Sequence, residues 1–395
     1  MADPIIIVDP VRYTGYSYIT TIKKRVNHSK LIALWTSEAA RELNTDANNL
    51  VDEEIFSNDF DETIAEIGNQ KPRCVLVGSD TGFPLADKLQ MHYHPKKSND
   101  PSLHQYRIDK FSYFNYLKDR GLIHTSQALV THDNLSEFDP TKKYVVKPID
   151  GQGNDNTFIT DNIAQLNLTK FKDKFMIQDY IDGPEYCIEV CTNDGDHKCT
   201  MASIYKGDHM VDLNPWREEN ELISHTDPVV QVLFDYIKPI LTALGVKIGV
   251  TWSQIKIENG VPHLIEINFR SQGHGLMTPI QLSTGINWVS ETLKSYLNLV
   301  QPVYKGIAYK KIGEFNKVSI NNRQEKYMDY LPIEDIQLLE SVYFIAVADR
   351  MFPGIVPVSR SVRTTMGSII VHNTDSVKYK EDMEKINQWK EKVGN

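Results

Sequence analysis

His263 to Gly275 reads HLIEINFRSQGHG. Leu264, Glu266, Asn268 and Arg270 alternate with Ile265, Ile267 and Phe269, and alternate side chains of a strand face opposite ways. One face is then apolar, and the other carries a carboxylate, an amide and a guanidinium. A carboxylate and an amide oxygen at i and i+2 suit a hard cation such as magnesium. An arginine one step further suits a phosphate or carboxylate brought to that metal. The Gly-rich SQGHG lets backbone come close to a ligand. Alternation is also the ordinary pattern of a half-exposed strand with a wet face, so the stretch alone leaves both readings open.

Working outward, Lys247–Ile257 and Pro262–Phe269 form a hairpin around Glu258-Asn259-Gly260, where Asn-Gly is a strong turn signal. A plain two-residue turn sets Ser253 across from Glu266. One extra residue, as in a bulged turn, sets Gln254 there instead. The residues around the turn leave that choice open.

At 395 residues, 41% hydrophobic and 24% charged, the chain has the make-up of a soluble globular protein of two or three domains. A net charge of -9 argues against broad nucleic-acid or anionic-membrane binding. The start, MADPIIIVDP, reads as a strand and not as a signal peptide. Cys74, Cys187, Cys191 and Cys199 lack the CxxC or His-pair spacing of a zinc site, so buried free thiols of a cytoplasmic protein are expected.

Residues 4 to about 100 alternate strands and helices: Pro4–Pro10, Lys30–Trp35 and Cys74–Gly78 as strands, Tyr16–Val26 and Phe60–Asn69 as helices. Such alternation implies a parallel sheet covered on both faces. Gly78, Ser79 and Gly82, at a strand's carboxyl end, are placed to meet a ligand at the sheet's crevice. The GxGxxG of a dinucleotide fold is absent. After a polar boundary at 94–102, Leu103–Arg120 reads as one long helix carrying Lys110, closed by Gly121.

Tyr144–Thr160, YVVKPIDGQGNDNTFIT, is a strand with Lys147, a glycine loop and a second strand. Such a hairpin can fold over phosphates while the ammonium offsets their charge. Phe175–Val190, FMIQDYIDGPEYCIEV, is strand, turn, strand, with Gln178 and Glu185 flanking Asp182-Gly183-Pro184. Residues 196–224 are polar and read as an irregular, substrate-facing cover. Helices are expected at Pro228–Leu244 and Asn287–Leu299. The tail carries strands at Gly306–Tyr309, Tyr343–Ala348 and Ser368–His372, then a helix from Ser376 to about Val393.

Taken together, a lysine-bearing helix, VVKP with its glycine loop, QDYIDGPEY and LIEINFR resemble the ATP-grasp superfamily. The finer similarity, in GSDTGFPLADKL, YRIDKFSYFNYLKDRGL and KPIDGQGNDNTF, is to carboxylate–amine ligases of the L-amino-acid ligase (dipeptide synthetase) kind. The resemblance implies a multidomain α/β and α+β chain. A Rossmann-like parallel α/β domain (1–102) precedes an ATP-grasp fold (103–300), whose ATP-covering part spans about 125–185, and a C-terminal extension (301–395) completes the ligase core.

It also implies roles for single positions. Lys110 and Lys147 contact ATP phosphates, and Gly151 and Gly153 belong to the loop that closes over them. Gln178 and the Ile181 backbone meet adenine, and Glu185 meets ribose. Gln254, Glu266 and Asn268 ligate magnesium or manganese, with the resemblance placing Gln254 at the third metal position. Arg270 steadies the acyl phosphate, and Arg270, Gly273 and His274 contact substrate. Three positions depart from the commoner pattern: Gln254 for an acid, Asn156 for a glycine, and Gln178 for a glutamate. The implied reaction joins a carboxylate to an amine, amino acids above all, with ATP converted to ADP and phosphate. The resemblance involves neither nucleic acid nor membrane, and is compatible with a homodimer. His209, Asp212, His225 and His274 are the candidates for a base.

Overall fold

The structure is a computed structural model. It describes residues 3–26, 29–42, 50–131, 133–149, 156–167, 174–211, 214–272, 277–297, 306–348, 351–360 and 364–394. Gly151, Gly153, Asp212, Gly273 and His274 lie outside these residues, as does the side chain of His209.

The first layer is an alternation of β1 (Ile5–Val8), α1 (Arg12–Arg25), β2 (Leu31–Trp35), α2 (Glu38–Glu42), β3 (Glu53–Phe56), α3 (Phe60–Ile67), β4 (Cys74–Val77) and α4 (Phe83–Tyr93). The strands pair in the order β3-β2-β1-β4, all parallel. Every residue of β1 and β2 is buried, because helices cover both faces. Gly78 and Gly82 are required by close backbone packing. A Cβ at Gly78 would meet the Asp9 carbonyl at 2.3 Å, and one at Gly82 the Val8 carbonyl at 2.6 Å.

The expected long helix is two, α5 (His104–Ile108) and α6 (Lys110–Asp119). Asp109 breaks it by taking an extended conformation and accepting from the Ser112 N–H as the N-cap of α6. Lys110 thus opens α6. A four-stranded sheet follows, β5 (Gln127–Val130), β6 (Tyr144–Pro148), β7 (Phe158–Thr160) and β8 (Phe175–Asp179), ordered β5-β8-β6-β7.

The large sheet begins with β9 (Glu185–Asn193), β10 (Asp196–Val211) and β11 (Asn214–Leu222). The expectation of an irregular cover at 196–224 is corrected here, since β10 and β11 are a long antiparallel hairpin. Its charges meet across the strands, as Lys206 and Glu221 do on the diagonal at 2.6 Å. A ribbon of that kind lacks the apolar alternation by which strands are recognised. Next come α7 (Pro228–Ala243), β12 (Ile248–Glu258), β13 (Val261–Asn268), α8 (Met277–Thr284) and α9 (Trp288–Leu297). The tail adds β14 (Gly306–Ile307), β15 (Glu314–Ile320), β16 (Lys326–Met328), β17 (Val342–Val347), β18 (Gly354–Val356), β19 (Gly367–Asn373) and α10 (Ser376–Gly394).

The large sheet runs β13-β12-β9-β10-β11-β15-β19-β17, so strands from before and after residue 300 share one ladder through β11 and β15. Helix α7 packs on one face of β10 and β13, and α8 and α9 take part of the other. The first layer is fastened to this sheet by a buried polar knot. Asp87 of α4 accepts from Arg107 (2.8 Å), His104 (2.8 Å) and Asn99 (3.0 Å). Arg107 in turn donates to the Leu244 carbonyl, and Asn99 accepts from the N–H groups of Lys247 and Ile248. All four cysteines are free and buried, as expected.

Candidate active site

The β12–β13 hairpin turns on Asn259 and Gly260, with φ of 51° and 82°. Two left-handed residues are what a two-residue type I′ turn demands. Pairing from Glu258↔Val261 to Ile255↔Leu264 is the plain register such a turn implies. It then slips by one, so that Gln254 faces Glu266 and Trp252 faces Asn268. The extra residue is Ile265, a β-bulge within β13 and not in the turn. Strict alternation is thereby corrected: Leu264 leaves the face of Glu266 and is fully buried, near Ile267 and Phe269 in the core. Glu266, Asn268 and Arg270 stay half-buried.

The bulge has a chemical consequence. The Ile265 carbonyl accepts from Lys147 Nζ at 3.2 Å, which draws β6 over β13. Lys110, from the start of α6, pairs with Glu266. Arg270 pairs with Asp80 from the loop after β4, and its Nη1 donates to the Ser271 carbonyl at 2.7 Å. Three cations from three elements therefore gather around one carboxylate.

Burial disfavours charge on Glu266, but Lys110, Lys147 and Arg270 outweigh it and hold the carboxylate below its ordinary range. Burial pushes the Lys147 ammonium down to about 8, with Glu266 and Glu185 resisting the fall and Lys110 adding to it. Lys110 moves the other way, because Glu266 more than offsets its burial. Gln254, Glu266 and Asn268 present one ionised carboxylate and two amides, an oxygen set that fits a magnesium ion. Among the described residues no group of three or more His, Cys, Asp or Glu could hold a metal. The set therefore suits an ion that arrives with phosphates, not an all-protein cage.

At the other end, Gln178 of β8 is buried and donates to Gln127 Oε1 at 3.4 Å. The Ile181 carbonyl accepts from Lys256 Nζ at 3.0 Å. Glu185 opens β9, buried, in register with Lys256. Gly183 has a φ of 135°, and a Cβ there would lie 2.1 Å from the Ile257 carbonyl. The Asp182-Gly183-Pro184 crossing therefore rests directly on the β12–β13 hairpin. Asn156 adopts φ 52°, the left-handed backbone expected of a residue standing for glycine. His225 accepts from the Lys311 N–H at 3.1 Å and packs edge-on to Tyr309, which is a structural role.

Two residues of the site escaped the sequence reading. Asp80 lies in the SDTG loop, where only the flanking glycines and Ser79 drew notice. Glu189, fully buried, accepts from Ser271 and from Thr200 (3.0 Å), pinning the segment after Arg270 onto β9. Glu189 falls on the same strand face as Cys187, which the spacing does show.

Residues 108–274 match the family described as the ATP-grasp domain. This stretch is an ATP-grasp domain. The chain is 24% identical over 261 residues to Dapdiamide A synthase of Enterobacter agglomerans; the match spans 62% of this chain and 61% of that protein, so it reaches about three fifths of the curated relative's length. Among solved structures, the L-amino acid ligase from Bacillus licheniformis superposes with a TM-score of 0.72 at 14% identity, covering 97% of this chain and 98% of that one. The N5-carboxyaminoimidazole synthetase from Staphylococcus aureus, complexed with ADP, does so with a TM-score of 0.70 at 13% identity, over 97% and 96%. The ATP-grasp fold with a Rossmann-like parallel sheet ahead of it thus extends across nearly the whole chain. No described helix is long and apolar enough to cross a membrane.

Proposed function

We propose that the protein is an ATP-dependent carboxylate–amine ligase whose substrates are amino acids. The observation that carries this reading is the convergence of Lys110, Lys147 and Arg270 on Glu266 inside an ATP-grasp domain. A substrate carboxylate oxygen attacks the γ-phosphorus of ATP, the bond to the β,γ-bridging oxygen breaks, and ADP leaves an acyl phosphate. The amine nitrogen then attacks the acyl carbon and loses a proton, and phosphate departs as the amide forms. Lys110 and Lys147 disperse charge on the transferring phosphoryl group, with Gly151 and Gly153 in the covering loop. Gln178, Ile181 and Glu185 hold the nucleoside. Gln254, Glu266 and Asn268 would hold a magnesium or manganese ion, which when bound neutralises the phosphates. Arg270, with Gly273 and His274, orients the carboxylate being activated. Asp80 holds the Arg270 guanidinium until that carboxylate arrives.

Similarity to an L-amino acid ligase supports amino acids as the substrate class. The reading retains the divisions 1–102, 103–300 and 301–395 and a cytoplasmic setting. ADP release on mixing ATP with pairs of amino acids, with product mass spectrometry, tests it. Amino-acid dependence and a mass gain equal to an amide are expected. Since a carboxyaminoimidazole synthetase shares the fold, bicarbonate is the control: ADP release that follows bicarbonate and ignores amino acids overturns the ligase reading. Silence across carboxylates and amines would instead indicate a nucleotide-binding regulator. Glu266→Gln should lower turnover by about a hundredfold or more, and wild-type rates in that variant would remove the metal assignment.

A further inference from the structure

The large sheet carries one more cation on the face of the candidate site. Register across the ladder puts Gln254 beside Cys187 of β9, Cys187 beside Ser203 of β10, and Tyr205, two residues on, beside Asn220 of β11. Asn220 in turn lies beside Lys317 of β15. Directly paired residues share a face, so Lys317 projects on the side that bears Gln254, Ser203 and Tyr205. Tyr205 is within electrostatic reach of the Arg270 guanidinium, which ties this region to the phosphate end of the site.

Lys110 has Glu266, Lys147 has the Ile265 carbonyl, and Arg270 has Asp80. Lys317 is different. Among the described residues its ammonium makes no hydrogen bond or ion pair, and no carboxylate stands near enough to oppose the burial that pushes its pKa down to about 7. Beside it, the Asn220 side-chain oxygen also lacks a partner, in a residue 4% exposed. An amide is read either way round, so Asn220 can donate as well as accept. A cation and an amide on adjacent strands are the complement of a small planar anion.

We propose that Lys317, with Asn220, binds the free carboxylate of the amine-supplying amino acid. The inference rests on the ligase reading and deepens it. The carboxylate being activated belongs at Arg270, beside the phosphates, whereas the second amino acid keeps its own carboxylate through the reaction and needs a separate counter-charge. Two strand spacings, roughly 10 Å, separate the backbones at Tyr205 and Lys317. Two extended residues span about 7 Å, so a dipeptide and a lysine stem together cover the span from Tyr205 to β15.

Two measurements test this. In the first, each amino acid that supports ADP release as the amine is offered as free acid and as carboxamide. Wild type should prefer the acid, and Lys317→Met should raise KM for the acid about tenfold or more. KM for ATP should hold, and the preference over the amide should vanish; Lys317→Arg should restore part of it. An unchanged acid-over-amide preference in Lys317→Met overturns the proposal. The second needs no turnover: brief acetylation by acetic anhydride, read at Lys317 by peptide mass spectrometry with ATP and magnesium present. L-Alanine and other free amino acids should protect Lys317, and L-alaninamide should not. Absence of protection by any free acid overturns the site, as does protection by phosphate monoesters alone, which would assign it to a phosphate. Protection by free acids in a protein that releases no ADP with any amino acid would sink the ligase reading and leave the anion site standing.

Discussion

Lys147 is asked to be charged where burial resists charge. Its pKa of about 8 means that the free protein carries the ammonium below that pH and loses it as pH rises through it. ATP needs the charged form, so kcat/KM for ATP should fall above about pH 8, and Lys147→Met should abolish that limb along with most of the activity. A pH profile of the two proteins checks this; an unchanged limb in the variant assigns the titration elsewhere. Glu266 has the opposite character. Three cations hold it ionised, so over the same range it offers a permanent carboxylate, and its replacement by glutamine removes the charge while keeping the shape.

At the scale of elements, the hairpin of β12 and β13 sets the site through one turn and one bulge. Gly260 is left-handed with open space around it, so Gly260→Ala should cost only the backbone term, about 1 kcal/mol. Gly183 differs, because a Cβ would run into the Ile257 carbonyl. Gly183→Ala should therefore destabilise more than Gly260→Ala and raise KM for ATP, since the crossing it displaces joins Ile181 to Glu185. Urea denaturation and nucleotide binding of both variants check the order, and equal effects would mean that the crossing does not rest on the hairpin. Asp109 acts at this scale too: by ending α5 and capping α6 it sets Lys110 on a helix start that points at Glu266.

At the scale of the molecule, the site exists because two layers are held together. Asp80 comes from the first layer and Arg270 from the large sheet, and the knot of Asp87, Arg107, His104 and Asn99 lies between those layers. Burial opposes the Asp87 charge, but His104, Arg107 and Asn99 overcome it and lower its pKa. A carboxylate with a lowered folded pKa stabilises fully above its unfolded value, near 3.9, and that stability is lost as pH falls below it. Asp87→Ala leaves Arg107 buried without its counter-charge and should cost about 3–5 kcal/mol. It should also flatten the acid side of the stability profile below about pH 4. Denaturation across pH checks both, and an undiminished acid limb would place the titration in another carboxylate.

Much of this was legible in the residues themselves. Short apolar strands between helices specified a covered parallel sheet, Asn259-Gly260 marked a tight turn, and Gly121 marked a helix end, because each depends on local backbone preference. The order of VVKP, QDYIDGPEY and LIEINFR carried the resemblance that the ATP-grasp match bears out. What local preference does not encode was settled by contacts between distant segments. The bulge at Ile265 is invisible in an alternating string, because either register satisfies the turn; only packing Leu264 into the core and Ile265 under Lys147 selects one. The β10–β11 ribbon, polar over much of its length, acquires its strands from the sheet it joins. Asp80 and Arg270 are 190 positions apart, and Lys317 reaches the site face only because β15 pairs with β11. Sequence determined which chemical groups the chain possesses and the local shapes that carry them. Tertiary structure decided which of those groups share a face, since side-chain direction in a strand reverses with every single-residue change of register.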